Sequence, residues 1–163
     1  MFSFTVKVRS RGVYVTVGAI AMVMAGMLVG LMLLKGGTAE ASTTTAKRLS
    51  AARLPDNRAR VDFLKSLGWE VDEEPQETVD VLIPQQFDKV YQRYNELQKQ
   101  QGFNLEKYKG KAVKRYTYVI HNVPQGEVIL ADLFLYGDRL VAGDINNVAL
   151  DGYMIALNQP LPK

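Results

Sequence analysis

The amino-acid sequence predicts an α+β fold. A single N-terminal transmembrane helix is expected first, followed by a small domain in which one or two helices cover an antiparallel sheet of four or five strands. Three observations predict it. An uncharged apolar run of 23 residues, Gly12 to Leu34, stands near the start. Later segments alternate apolar and polar residues with a period of two, as half-buried strands do. Short turns join those segments and favour antiparallel pairing. With 163 residues the chain has room for one folded domain beyond the apolar run.

At 1.5 Å per residue, a helix over residues 12–34 would be about 35 Å long, enough to cross a hydrocarbon core of about 30 Å. Its interior, VTVGAIAMVMAGMLVGLMLL, has no ionisable group, and Tyr14 lies near one end where an aromatic ring suits the interface. Lys7, Arg9 and Arg11 precede the run, while Lys35 alone follows closely. The excess of positive charge expects residues 1–11 as a cytosolic tail, 12–34 as a signal-anchor helix in the cell membrane, and the C-terminal domain outside. The alternative is secretion after cleavage following Ala41, since Ala39, Glu40 and Ala41 form an A-x-A pattern. An apolar region of the usual signal-peptide length, about 7 to 15 residues, is shorter than this run, which favours the anchor. Gly26 and Gly30 form a G-x-x-x-G pair, with Ala21 and Ala25 as a second small pair, and such a face suits a homodimer through close helix packing.

The formal net charge of +3 is unevenly spread. From Asp56 onward there are 13 Lys and Arg against 16 Asp and Glu, so the positive excess belongs to the membrane flanks and residues 35–55. That distribution argues against a nucleic-acid footprint on the folded domain, which would need clustered basic residues, and leaves DNA or RNA binding a minor option. Residues 35–55, rich in small and hydroxyl side chains, read as a flexible linker, and 56–163 as the extracytoplasmic domain. Cysteine is absent, which removes disulfides, thiolate catalysis and Cys-based zinc sites together.

Within the domain, Asp56 and Asn57 offer an N-cap to a helix from Arg58 to Leu67 that carries Val61, Leu64 and Leu67 on one face, and Gly68 ends it. Trp69 and Val71 alternate with acids as a strand would, and Thr78 to Ile83 reads as a second strand. Pro84 is expected to begin a helix that runs to Gly102, with Phe87, Val90, Tyr91, Tyr94 and Leu97 on its core face. Three strands follow, Ala112 to His121, Val128 to Tyr136 and Arg139 to Ile145. The first two are separated by the Asn122 to Glu127 loop and the last two by a Gly137-Asp138 turn. The middle strand is apolar on both faces except for Asp132, which predicts a central position.

The blocks GWEV (Gly68 to Val71), FDKVYQRYNELQKQQGFNLEKYKGK (Phe87 to Lys111), RYTYVI (Arg115 to Ile120) and LDGYM (Leu150 to Met154) carry a resemblance. Over residues 57–157 the chain resembles a bacterial family of short membrane-anchored proteins of the Gram-positive anaerobe type, domain of unknown function 4830. The resemblance implies one exported domain and supplies no catalytic residue. Where the family pattern has an Asn-aromatic-Pro turn and a double glycine, this chain has Asn122, Val123 and Pro124, and Ala142 and Gly143.

Chemistry is sparse. His121 is the only histidine, no G-x-S-x-G elbow exists, and Gly110 and Lys111 lack the rest of a P-loop. Asp144, Asn146, Asn147 and Asp151 offer oxygens but lack the glycine and terminal glutamate of a calcium loop, so turns and caps suit them better. Asp132 and Asp144 on neighbouring strands form a carboxylate pair of the kind a glycoside hydrolase uses. Lys107, Lys109, Lys111, Lys114 and Arg115 are the densest basic patch, suited either to an anionic wall polymer, lipid or acidic partner, or to guarding a strand edge. No catalytic, cofactor-binding or metal-binding residue is assigned, and no cofactor is expected. The expected function is a membrane-tethered extracytoplasmic binding or interaction domain, non-enzymatic, with a protein or cell-envelope partner. A small cell-envelope hydrolase using carboxylates and a sensory or regulatory ectodomain are the alternatives.

Overall fold

The computed structural model describes residues 49–162. The tail 1–11, the apolar run 12–34 with Gly26 and Gly30, the Ala41 site and the linker as far as residue 48 lie outside the described residues. Among the described residues no helix is long and apolar enough to cross a membrane. The elements are α1 (Asn57–Ser66), β1 (Glu77–Leu82), α2 (Lys89–Gln100), a 3-10 turn (Leu105–Tyr108), β2 (Ala112–Ile120), β3 (Ile129–Tyr136), β4 (Arg139–Asn147) and β5 (Met154–Ile155). Every strand pairs antiparallel with the next, so the order across the five-stranded sheet is chain order and β3 lies at its centre.

Local chemistry sets the helix limits. The Asp56 carboxylate accepts the Ala59 N–H at 2.8 Å, and Gly68 takes the positive φ of 94° that ends the helix. The second helix begins at Lys89 and not at Pro84. Asp88 is the residue that caps it, accepting the Tyr91 N–H at 2.7 Å. The preceding residues are used to cross from the sheet edge onto its face. The expected strand at Trp69 and Val71 contracts to a single bridge between Val71 and Ile120.

One face of the sheet carries Tyr118, Ile120, Ile129, Ala131, Leu133, Leu135, Leu140 and Ile145, which pack on Val61 and Leu64 of α1 to form the main core. Trp69 closes that core, and its indole N–H donates to the Leu157 carbonyl at 2.6 Å. Leu49 and Leu54 are also buried there. The Leu54 N–H donates to the Asp138 carbonyl at 2.7 Å, and Leu140 donates to the Ala52 carbonyl at 3.1 Å. The folded unit therefore starts before Asp56, and residues 49–55 of the expected linker belong to it. Burying each leucine is worth about 2 kcal/mol, which a solvated tether would forgo.

The opposite face carries Val81, Val113, Val141 and Ala142 against Tyr94 of α2, with Phe134 packed alongside. Here the apolar pattern misleads, because Val90 is exposed while Asn95 and Gln98 of α2 and the following Gln101 are buried. The amides are inside for a reason. β5 pairs only with Ile145 and Asn146, which leaves Gly143 at an open part of the β4 edge. Gln98 donates to the Gly143 carbonyl and accepts the Gly143 N–H, both at 3.0 Å, as a further strand would. Gln101 adds a donor to that carbonyl at 2.9 Å and accepts the Leu157 N–H at 2.8 Å. Gly143 has no room for a side chain, because a Cβ would lie 2.5 Å from Leu157 Cδ1.

A β-bulge between β3 and β4 determines what faces α2. The Gly137-Asp138 turn sets Tyr136 opposite Arg139 and Leu135 opposite Leu140, but Phe134 then faces Ala142. The one extra residue moves the rest of β4 by one position and so onto the other face. Asp144 thereby lies opposite Asp132, on the α2 side; without the bulge it would point into the apolar core.

Candidate functional site

Two polar constellations flank α2, one sealed beneath it and one open beside it. The sealed one is built on the aligned pair Asp132 and Asp144. The Asn146 amide bridges them, donating to Asp132 at 3.2 Å and to Asp144 at 3.0 Å. Tyr94 of α2 donates its hydroxyl to Asp144 at 2.8 Å, and Thr117 of β2 donates to Asp132. Arg115 Nε lies 3.9 Å from Asp132, too far for a hydrogen bond, while its guanidinium pairs with Glu77 of β1. The result is a track of polar groups across four strands that runs from the β1 edge to the aromatic ring of α2.

Burial governs its protonation. Asp144 is 1 % exposed and Asp132 7 %. Desolvation pushes the Asp144 carboxyl up to about 7, the charge of Asp132 pushes it further the same way, and the donors Tyr94 and Asn146 oppose the rise. Asp132 is raised for the same leading reason, held back by Thr117, Arg115 and Asn146. Tyr94 is lifted well above the ordinary phenol value, first by burial and then by Asp144. The pair thus retains a proton up to neutral pH, a property that suits a general acid and equally suits a structural carboxylate kept neutral by burial. A shallow depression of about 310 Å³ lined by Gln76, Glu77, Thr117 and Leu130 reaches the Thr117 end of the track but neither carboxylate.

The open constellation is a groove of about 520 Å³ between the first turns of α2 and the 3-10 turn, lined by Phe87, Lys89, Gln92, Arg93, Glu96, Glu106 and Lys109. Its acids and bases are separated. Glu96 and Glu106 at one end are both bound by Lys99, at 3.0 and 3.4 Å. At the other end Lys89, Arg93 and Lys109 form no ion pair among the described residues. Lys109 Nζ stands 4.7 Å from the Phe87 ring centroid, a cation-π contact that holds it over the groove. Tyr91 stacks against Phe87 with centroids 4.6 Å apart, and burial raises its hydroxyl to about 12.

The remaining sequence candidates disperse. Of the basic patch, Lys114 pairs with Asp80 at 2.7 Å and Arg115 with Glu77, so both serve the β1 and β2 ladder, whereas Lys109 and Lys111 form no ion pair among the described residues. His121 Nε2 meets Asp72 at 2.7 Å on an exposed loop, remote from the carboxylate track. Asn147 is used locally, donating to Glu127 at 2.7 Å and accepting the Ala149 N–H at 2.9 Å. Among the described residues no three His, Cys, Asp or Glu side chains come together to hold a metal. Lys89 and Arg93 were not singled out by the sequence reading. The signal that could have found them is their i, i+4 spacing on the exposed side of α2, with Gln92 between.

No curated protein and no solved structure matches this chain. A family model described as DUF4830, a domain of unknown function, matches residues 63–145, from within α1 to near the end of β4 and including Asp132, Asp144 and the whole of α2. The chain belongs to the DUF4830 family.

Proposed function

We propose that this protein is a membrane-tethered extracytoplasmic binding domain without catalytic activity, anchored through residues 12–34 with its N-terminus in the cytosol, and that its partner is an anionic component of the cell envelope. The observation that carries the binding half is the groove beside α2, where Lys89, Arg93 and Lys109 form no ion pair among the described residues. The tether rests on the apolar run and its basic N-terminal flank. The buried carboxylates serve the fold in this reading, since α2 covers them and their partners are internal.

A second reading, a small cell-envelope hydrolase using Asp132 and Asp144, draws on the raised Asp144 value, which fits a proton donor at neutral pH. It requires α2 to move away, because no substrate reaches a carboxyl that is 1 % exposed.

Intact mass and fractionation of the protein expressed in a Gram-positive host test the tether. Full mass in the membrane fraction, with the domain cut by protease added outside the cells, is the expected result. A soluble product beginning at Ser42 would overturn the anchor and favour the secreted form.

A further inference from the structure

We infer that the end of the domain at which the chain enters is a docking face for anionic lipid head groups, so that the domain rests on the membrane that anchors it. The inference builds on the tethered reading and adds the orientation of the domain and its ligand chemistry. Chain entry is fixed by pairing: Arg53 bridges to Arg139, and the Leu54 N–H binds Asp138 in the β3 to β4 turn. The same end of the sheet holds the close of β1 at Leu82, the start of β2 at Ala112, and the loops that Gly110 and Ile83 tie together at 2.8 Å. On it stand Lys89, Arg93, Lys109, Lys111 and Arg139, none of which forms an ion pair among the described residues.

The acids at that end are already engaged. Asp88 caps α2, Asp138 holds Arg53 at 2.8 Å, Asp80 holds Lys114, and Glu96 and Glu106, which line the groove with the cations, share Lys99. Toward the opposite end lie Glu70, Asp72, Glu73, Glu74, Glu127 and Asp151, so charge is segregated along the strand direction. A membrane surface also needs groups that enter the head-group layer. Leu82 is 66 % exposed, Tyr136 43 % and Val90 38 %, all three among the cations, and Lys111 Nζ lies 5.6 Å from the Tyr136 ring centroid. Exposed apolar and aromatic side chains ringed by Lys and Arg are the composition of an interfacial contact.

The tether keeps this face near the bilayer. Fourteen residues separate Leu34 from Leu49. That number of residues can reach at most about 50 Å at full extension. A domain of this size has a radius of gyration of about 13 Å, so its entry end stays close enough for head-group contact at high effective concentration. An anionic surface then contributes about fivefold per cation to the docked population.

The chain has no cysteine, so Leu82→Cys and Leu150→Cys each place one label, at the entry end and on a far-end loop where Leu150 is 99 % exposed. The full-length variants are reconstituted into vesicles of phosphatidylcholine, with or without phosphatidylglycerol, and quenching by head-group nitroxide lipids is measured. Strong quenching at position 82 but not 150, dependent on phosphatidylglycerol and relieved by salt, is expected. Replacing Lys89, Arg93 and Lys109 by Gln should lower the docked-to-free ratio about a hundredfold. Equal quenching at both positions, or indifference to phosphatidylglycerol, overturns the inference while leaving the tether intact. Failure of the chain to float with vesicles overturns the tether and the docking with it. A label at 82 that ignores lipid but responds to inorganic polyphosphate contradicts lipid docking and points to an anionic polymer.

Discussion

The two sides of α2 meet charge in opposite ways. Its inner side lowers Tyr94 onto Asp144, one of two desolvated carboxylates that Asn146 bridges and a retained proton partly neutralises. Its outer side presents Lys89 and Arg93, which form no ion pair among the described residues although Glu96 and Glu106 line the same groove. Buried charge is costly unless it is paired or neutralised, whereas solvated charge costs little and remains available to a partner. A raised carboxylate pair is therefore poor grounds for assigning catalysis here, and the proposed function rests instead on the solvated cations.

Substitutions can break that contrast, and the largest effect should come from the packing that aligns the carboxylates. Gly143→Val brings a side chain against Leu157 and the Asp132 carbonyl and disturbs the Gln98 pairing. It should cost about 3 kcal/mol, read by urea unfolding of the full chain in mild detergent with Trp69 fluorescence as the signal. Asn146→Ala removes the donor shared by Asp132 and Asp144 and should cost about 2 kcal/mol at pH 8, with a smaller loss at pH 5 where Asp144 is protonated.

The pH dependence sharpens the same point. Asp144 binds its proton more tightly in the folded chain than in the unfolded one, so its contribution to stability is complete below about pH 4 and is lost as pH rises through about 7. Asp132 shifts in the same direction. Urea midpoints should consequently fall between pH 5 and 8, and Asp144→Asn should flatten that slope. An unchanged slope would show that the pair does not retain its proton. The smallest effect is expected on the outer side of the helix: Lys89→Gln with Arg93→Gln should leave the unfolding free energy within about 0.5 kcal/mol at every pH, since neither residue has an ion-pair partner among the described residues.

How far the sequence foretold this arrangement depends on the kind of signal. The three long strands and both helices were legible because alternation, the Gly137-Asp138 turn and the Asp56 cap are local. Asp132 and Asp144 stood out as acids on neighbouring strands, yet their alignment depends on the bulge at Phe134 and Leu135, which no turn residue announces. β5 has two residues, too few for any periodicity. Pro84 appeared to open α2 because proline suits a first helical turn, but Asp88 could satisfy the Tyr91 N–H and took the role. Leu49 and Leu54 were hidden in a stretch of linker composition, because two buried leucines leave no pattern. The inward amides Gln98 and Gln101 were unreadable for a related reason, since their partner is a strand edge left open by a short β5 far along the chain.

The central contrast, an open cationic side proposed to bind anionic lipid and a sealed acidic side that supports the fold, is tested most directly by backbone NMR of the full chain in nanodiscs, comparing neutral with anionic lipid. Shifts confined to Lys89 to Arg93, Lys109 to Lys111 and Tyr136 to Arg139, with Thr117, Asp132, Asp144 and Asn146 unmoved, are the expected result. Shifts centred on Thr117, Leu130 and Asn146, with the cationic segments silent, would contradict it and return attention to the carboxylates.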